Sequence, residues 1–136
     1  MLTRLLTRIE TPAFTLLRVV VGLMFSFHGV QKIFGVLAEH ATPAVGSQIW
    51  VGGVIELVGG VLMAVGLATV WAAFISSGTM AVAYTQFHWR GQLGAKLLPA
   101  INEGELALAY AVVMLFIACH GAGPFSVDGW LQRRTR

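Results

Sequence analysis

The apolar positions of this chain fall into long runs that are broken at only a few places. Residues 12–37, 48–67, 71–89 and 103–120 are each apolar enough for one helix, and a helix of roughly 20 apolar residues spans a bilayer. Ahead of them, Leu2, Leu5, Leu6 and Ile9 recur at helical spacing, with Arg4 and Arg8 on another face. That is the pattern of an amphipathic helix lying on a membrane surface; a loose terminus is the plain alternative. Thr11 and Pro12 read as N-cap and first residue of the first long helix. Ala41 to Ser47, with Pro43 and Gly46, reads as a loop. From Leu57 to Trp89 there is no Asp, Glu, Lys or Arg, a stretch too long for one span, so a tight turn is expected at Gly66 to Val70. Arg90 to Ala100 is a polar loop. Asn102 to Glu105 reads as a capping box with Asn102 at the N-cap, and Gly121 to Pro124 ends the fourth helix. The expected fold is all-α: one domain, residues 1–136, forming a polytopic four-transmembrane-helix bundle with a short N-terminal amphipathic helix.

Composition narrows the class. The chain is 57% hydrophobic and 11% charged, against about 25% charged in an average soluble domain, and its mean hydropathy is +0.77. So few polar groups cannot cover a globular surface in water, which excludes an ordinary soluble enzyme and a disordered chain. The nine Lys and Arg outnumber the six Asp and Glu, but the basic residues gather at the ends: Arg4 and Arg8, then Arg133, Arg134 and Arg136. This is read as the positive-inside rule, with both termini cytoplasmic, rather than as nucleic-acid binding. The basic start followed by an apolar stretch imitates a signal peptide. Arg18 interrupts that stretch and no A-x-A site follows, so it is expected to remain as the first membrane helix. A single cysteine, Cys119, leaves neither an internal disulfide nor a CxxC centre.

The few remaining charges then become informative. A charged side chain near the bilayer centre costs about 2.5–3.5 kcal/mol, so it faces inward or pairs. At about 100° per residue, Arg18, Gly22, Phe25, Gly29 and Lys32 lie within about 40° of one line on the first helix. His28 and Ser26 flank that line, and Leu16, Val20, Leu23, Phe27, Val30 and Phe34 lie opposite. Gly52, Gly53, Glu56, Gly59, Gly60 and Ala64 share one side of the second helix, and small residues let helices approach closely. With helices one and three running outward, His28, Lys32, Glu56, His88, Asn102 and Glu105 all fall in the outer half of the bundle. Arg18, His120, Ser126 and Asp128 fall in the inner half.

Two polar clusters are therefore expected. The outer one is a ligand-binding pocket of His28, Lys32, Glu56, His88, Asn102 and Glu105. The inner one is a polar clasp of Arg18, Ser126 and Asp128, with Arg18 pairing to an acid. Each residue also has a plainer reading. Lys32 can snorkel to the interface, and Glu56 can be a structural partner. His88 can be an interfacial histidine, and Glu105 an acid favoured by a helix N-terminus. A metal is not expected, because only His28, His88, Glu56 and Glu105 qualify as ligands and they follow no spacing motif.

An ordered set of segments gives the chain a relative. It comprises Leu17 and Arg18 with Gly22; His28 to Gly35; Ile55 to Gly60 with Gly66 and Leu67; His88; Asn102 to Glu105 with Ala107 and Tyr110; and Gly121 to Asp128. In these segments the sequence resembles the DoxX family of small four-helix membrane proteins. The resemblance implies a multi-pass protein of a bacterial or archaeal cell membrane. It also implies association with quinone-linked or thiol-handling oxidoreductase complexes, with a bound quinone as cofactor or a cofactor held by a partner subunit. The leading expectation is a membrane subunit or accessory protein of a redox system that binds a quinone-like or small anionic molecule. A small solute or proton transporter is the second, and a structural scaffold that forms a homo-oligomer through its Gly-rich faces is the third.

Overall fold

Capping residues set where the helices begin and end. The computed structural model describes residues 1–135, and among them every regular element is helical. The order is α1 (Leu2–Arg8), α2 (Glu10–Phe34), α3 (Gln48–Val65), α4 (Thr69–Ala83), α5 (Glu105–His120) and α6 (Val127–Arg134). α4 continues into a π-helical turn, Tyr84–Trp89, and a 3-10 turn, Gly94–Leu97, lies in the loop before α5.

The boundaries differ from the sequence reading at the starts of α2, α4 and α5. Thr11 is not an N-cap: α2 already starts at Glu10, and the Thr11 carbonyl accepts from Thr15 Oγ1. Pro12 still falls in the first turn, where a backbone N–H has no intrahelical acceptor. α3 is capped locally, with Ser47 Oγ accepting from the Trp50 N–H at 3.2 Å. It ends at Gly66, which sits at φ +75° and donates to the Leu62 carbonyl, a left-handed turn that favours glycine. The following N-terminus, that of α4, lies two residues earlier than residue 71 and has no local side-chain cap. Asp128, from the far end of the chain, supplies it. The capping box at Asn102 does not form. Glu103 adopts φ +61°, and the N-cap of α5 is Gly104.

α2 to α5 form an antiparallel four-helix bundle. The α2–α3 crossing depends on the near absence of side chains. A Cβ on Gly29 would meet the Gly53 carbonyl oxygen at 2.7 Å, and one on Gly60 would meet that of Gly22 at 2.6 Å. These glycines thus face each other within one chain, and the expected homo-oligomer through Gly-rich faces loses that surface. α4 packs on α5, where Ser77 Oγ donates to the Ala111 carbonyl at 2.7 Å. Aromatic stacking joins α5 to α2: Phe14 on His120 at 3.7 Å and Phe25 on Tyr110 at 5.5 Å between ring centroids.

Burial is inverted relative to a soluble bundle. Arg18, Glu56, Ser76 and Ser77 are buried with Phe25, Met63, Met114 and Ile117, while Leu16, Leu23, Trp71, Phe74 and Val112 point outward. α2 and α3 are each long and apolar enough to cross a membrane, and α5 is a shorter apolar helix.

Candidate functional site

The two polar clusters read from the sequence are distinct places in the bundle. At the inner end, Arg18 is 1% exposed. Its guanidinium donates to the carbonyls of Met63, Ala64 (2.9 Å) and Phe125 (2.7 Å). The expected pairing of Arg18 with an acid is not made directly: the ion pair among the described residues is Lys32 with Glu56. The reason lies in the helix ends. Carbonyls of the last turn of α3 lack intrahelical donors and carry partial negative charge, so they accept from Nη1, while Nη2 goes to Phe125 and the buried Nε is left unpartnered. Asp128 instead meets the N-terminus of α4, accepting from the N–H groups of Ala68 and Thr69 at 2.9 Å each. Its own N–H donates to the Gly66 carbonyl at 2.8 Å. Burial pushes the Asp128 carboxyl up, but the Thr69 and Ala68 N–H groups and the nearby Arg18 charge outweigh it and hold the group below the usual carboxylate range. Ser126 caps α6 by accepting from the Gly129 N–H at 3.0 Å. Arg18, Ser126 and Asp128 thus tie α2, α3, α4 and α6 together through backbone groups.

The outer cluster is built differently, around open space. Lys32 from α2 pairs with Glu56 Oε1 from α3, Glu56 buried and Lys32 partly exposed. The second carboxylate oxygen, Oε2, is buried and has no hydrogen-bond partner. The Tyr110 hydroxyl on α5 is likewise buried and unpartnered, and His28 stands edge-on to that ring at 6.1 Å. His88, on the π-helical turn, directs Nδ1 to the Asn102 carbonyl at 3.4 Å. A carbonyl only accepts, so Nδ1 donates and Nε2 is left as the free nitrogen. A cavity of about 170 Å3 lies among His28, Lys32, Glu56, His88, Glu103 and Tyr110, with Phe25, Met80, Leu106 and Ala107 as its apolar wall.

Four of the six expected ligand residues, His28, Lys32, Glu56 and His88, therefore share one cavity. Asn102 lies behind His88, with Oδ1 accepting from the Gly104 N–H at 2.8 Å and Nδ2 donating to the Lys96 carbonyl. Glu105 does not join them: it is exposed in the first turn of α5. The left-handed turn at Glu103 starts the helix later than a capping box would, and Glu103, in place of Glu105, joins Glu56 on the cavity. In the sequence Tyr110 is marked only among the DoxX-like segments and not as a site residue; it belongs to the buried stripe Ala107, Tyr110, Met114 and Ile117, which is hard to see on a helix that is apolar all round. Among the described residues, no three His, Cys, Asp or Glu side chains converge as a metal-ligand set.

Two further spaces share walls with this cavity. A cleft of about 480 Å3 runs between α3 and α4 and shares Lys32, Glu56, Met80 and His88 with it. A vestibule of about 520 Å3 lies under residues 37–43 and shares His28 and Lys32.

Apolar outer faces, two helices of spanning length and a half-buried ion pair between them define a small all-α membrane protein. The comparisons agree. The family model of DoxX matches residues 13–89, more than half of the chain, and the chain belongs to that family. A protein of Haemophilus influenzae described as an uncharacterized protein is 43% identical over 115 residues, covering 82% of this chain and 85% of that one. No solved structure matches. The family match carries Arg18, His28, Lys32, Glu56 and His88, whereas Asn102, Glu103 and Tyr110 lie beyond it.

Proposed function

We propose that the protein crosses the cell membrane four times as a single domain, with both termini cytoplasmic. In this reading it serves a redox system as a membrane subunit or accessory protein by binding a quinone-like molecule in its outer half. The four-span reading is supported by the bundle: α4 with its π turn reaches about 30 Å and α5 about 24 Å at 1.5 Å per residue, alongside the two longer apolar helices. The orientation follows from the terminal arginines.

One observation carries the ligand reading. Two buried polar atoms without partners, Glu56 Oε2 and the Tyr110 hydroxyl, belong to residues lining a cavity that shares Lys32, Glu56, Met80 and His88 with an apolar cleft. Buried polar groups are ordinarily satisfied, and a ligand with a hydrogen-bonding ring and an apolar body satisfies both. Lys32 and the Tyr110 hydroxyl donate to a ring carbonyl of the oxidised form, while Glu56 and His88 Nε2 accept from a ring hydroxyl of the reduced form, the quinol. A quinone supplies the electron-accepting ring in such a site; the chain's residues hold it and move protons at its oxygens. A small anion fits less well, because the Lys32 charge is already compensated by Glu56.

The alternatives are weaker on specific grounds. Phe25, Met63, Met114 and Ile117 fill the core, which weighs against a permeation path. A scaffold gives no reason for a carboxylate oxygen left without a partner beside a cavity. Mass spectrometry of molecules co-purified with the protein tests the proposal. Wild type is expected to retain a quinone that a Glu56→Gln, His28→Ala double variant loses, and equal retention in both would sink the site.

A further inference from the structure

We propose that the cleft between α3 and α4 is a side entrance from the bilayer that seats the apolar tail of the ligand, and that Gly52 and Gly78 keep it open. The inference rests on the ligand reading above and adds the route of entry and the residues that set ligand size.

The two glycines stand on opposite walls, Gly52 on α3 and Gly78 on α4, and both line the cleft. Glycine inside a helix costs roughly 0.5–1 kcal/mol relative to alanine. At Gly29 and Gly60 that cost is offset by a backbone approach that no side chain permits. At Gly52 and Gly78 nothing offsets it: a Cβ at either position meets no atom within 4 Å, and neither has a left-handed φ. What their lack of side chains provides is the space itself.

The cleft has a direction. Its wall residues Val51 and Val82 belong to the outward apolar surface, so it opens sideways, towards lipid. At the end near the loops, Gln48 Nε2 donates to Gln86 Oε1 at 2.5 Å and bridges the two walls. At its inner end stands Glu56, only 3% exposed, with Oε2 unpartnered. The π turn, a feature often found at functional sites, brings both Phe87 and His88 to the same wall. A space of about 480 Å3 is within the usual range for small-molecule pockets. An occupant therefore carries a hydrogen-bonding head towards Glu56 and an apolar tail towards the bilayer. A phospholipid acyl chain has no polar group for its buried end.

Equilibrium binding to the full chain in detergent under reducing conditions tests this with two probes: the hydroquinone form of a decyl-substituted dimethoxybenzoquinone, whose hydroxyl can donate to Glu56, and the same ring with methyl in place of decyl. Wild type is expected to bind the decyl probe at least tenfold more tightly. Gly78→Leu fills the cleft and should remove that preference while leaving the methyl probe unchanged; Glu56→Gln should weaken both. Gly52→Val serves as the independent variant if Gly78→Leu does not fold, and Val112→Leu, on the outer face of α5, should change nothing. A preserved decyl preference in folded Gly78→Leu or Gly52→Val, with Glu56→Gln still weakening both probes, overturns the side entrance and leaves the site reading standing. No binding of either probe to wild type, or binding indifferent to Glu56→Gln, overturns both. Equal binding of the two probes, with phospholipid co-purifying in wild type and lost in Gly78→Leu, assigns the cleft to a structural lipid and overturns the proposal.

Discussion

Glu56 and Lys32 form a pair of unequal burial, and that inequality sets what each contributes. Glu56 is nearly enclosed, whereas the Lys32 side chain is 38% exposed and can reach the interface without its partner. Removing the lysine leaves a buried carboxylate without a counter-ion; neutralising the acid leaves a cation that can find water. Lys32→Ala is therefore expected to lower stability in detergent by about 3 kcal/mol, the low end for breaking a buried pair. Glu56→Gln should cost about 1 kcal/mol, the scale of one hydrogen bond. Thermal unfolding of the two single variants checks the order; equal losses would mean that the pair is solvated alike on both sides.

Helix ends and crossings respond to different substitutions. At the α2–α3 crossing, Gly29→Ala places a methyl against the backbone of α3, and such overpacking costs about 1–3 kcal/mol. Gly52→Ala meets no atom and should raise stability by up to about 1 kcal/mol through helix propensity. Melting temperatures of opposite sign are the expected result. At the start of α4, Asp128 acts as a cap from a distant segment. Its folded-state carboxyl titrates below the ordinary carboxylate range, so it binds fewer protons when folded and stabilises the fold above that range. The contribution is lost as pH falls through the lowered folded value. Asp128→Ala should cost about 1 kcal/mol near neutrality, the usual scale of a cap, and its deficit against wild type should vanish in acid. A pH series of unfolding midpoints for the two proteins measures this.

At the scale of the whole molecule, the inverted burial and the terminal arginines make a topological prediction. In a Cys119→Ser background, Ala41→Cys should react with a membrane-impermeant maleimide added to intact cells, and Thr135→Cys only after the membrane is opened. Labelling of both positions from outside would require an odd number of spans, or the reverse orientation of one half.

The sequence by itself determined that the chain is helical, with apolar outer faces and its polar residues in two separate groups, because helical periodicity and the cost of charge in hydrocarbon act on local pattern. It thereby placed His28, Lys32, Glu56 and His88 in one group, and the four line one cavity in the structure. Only the tertiary structure decided which neighbours those residues meet. Arg18 took carbonyls in place of an acid, since the exposed end of α3 lies against it. Asp128 became the cap of a helix some sixty residues away. Glu103 replaced Glu105 at the cavity through a left-handed turn that no periodicity encodes. The glycines look alike in sequence, yet Gly29 and Gly60 are consumed by contact while Gly52 and Gly78 border open space. That distinction depends on where another backbone runs, and only the folded chain fixes it.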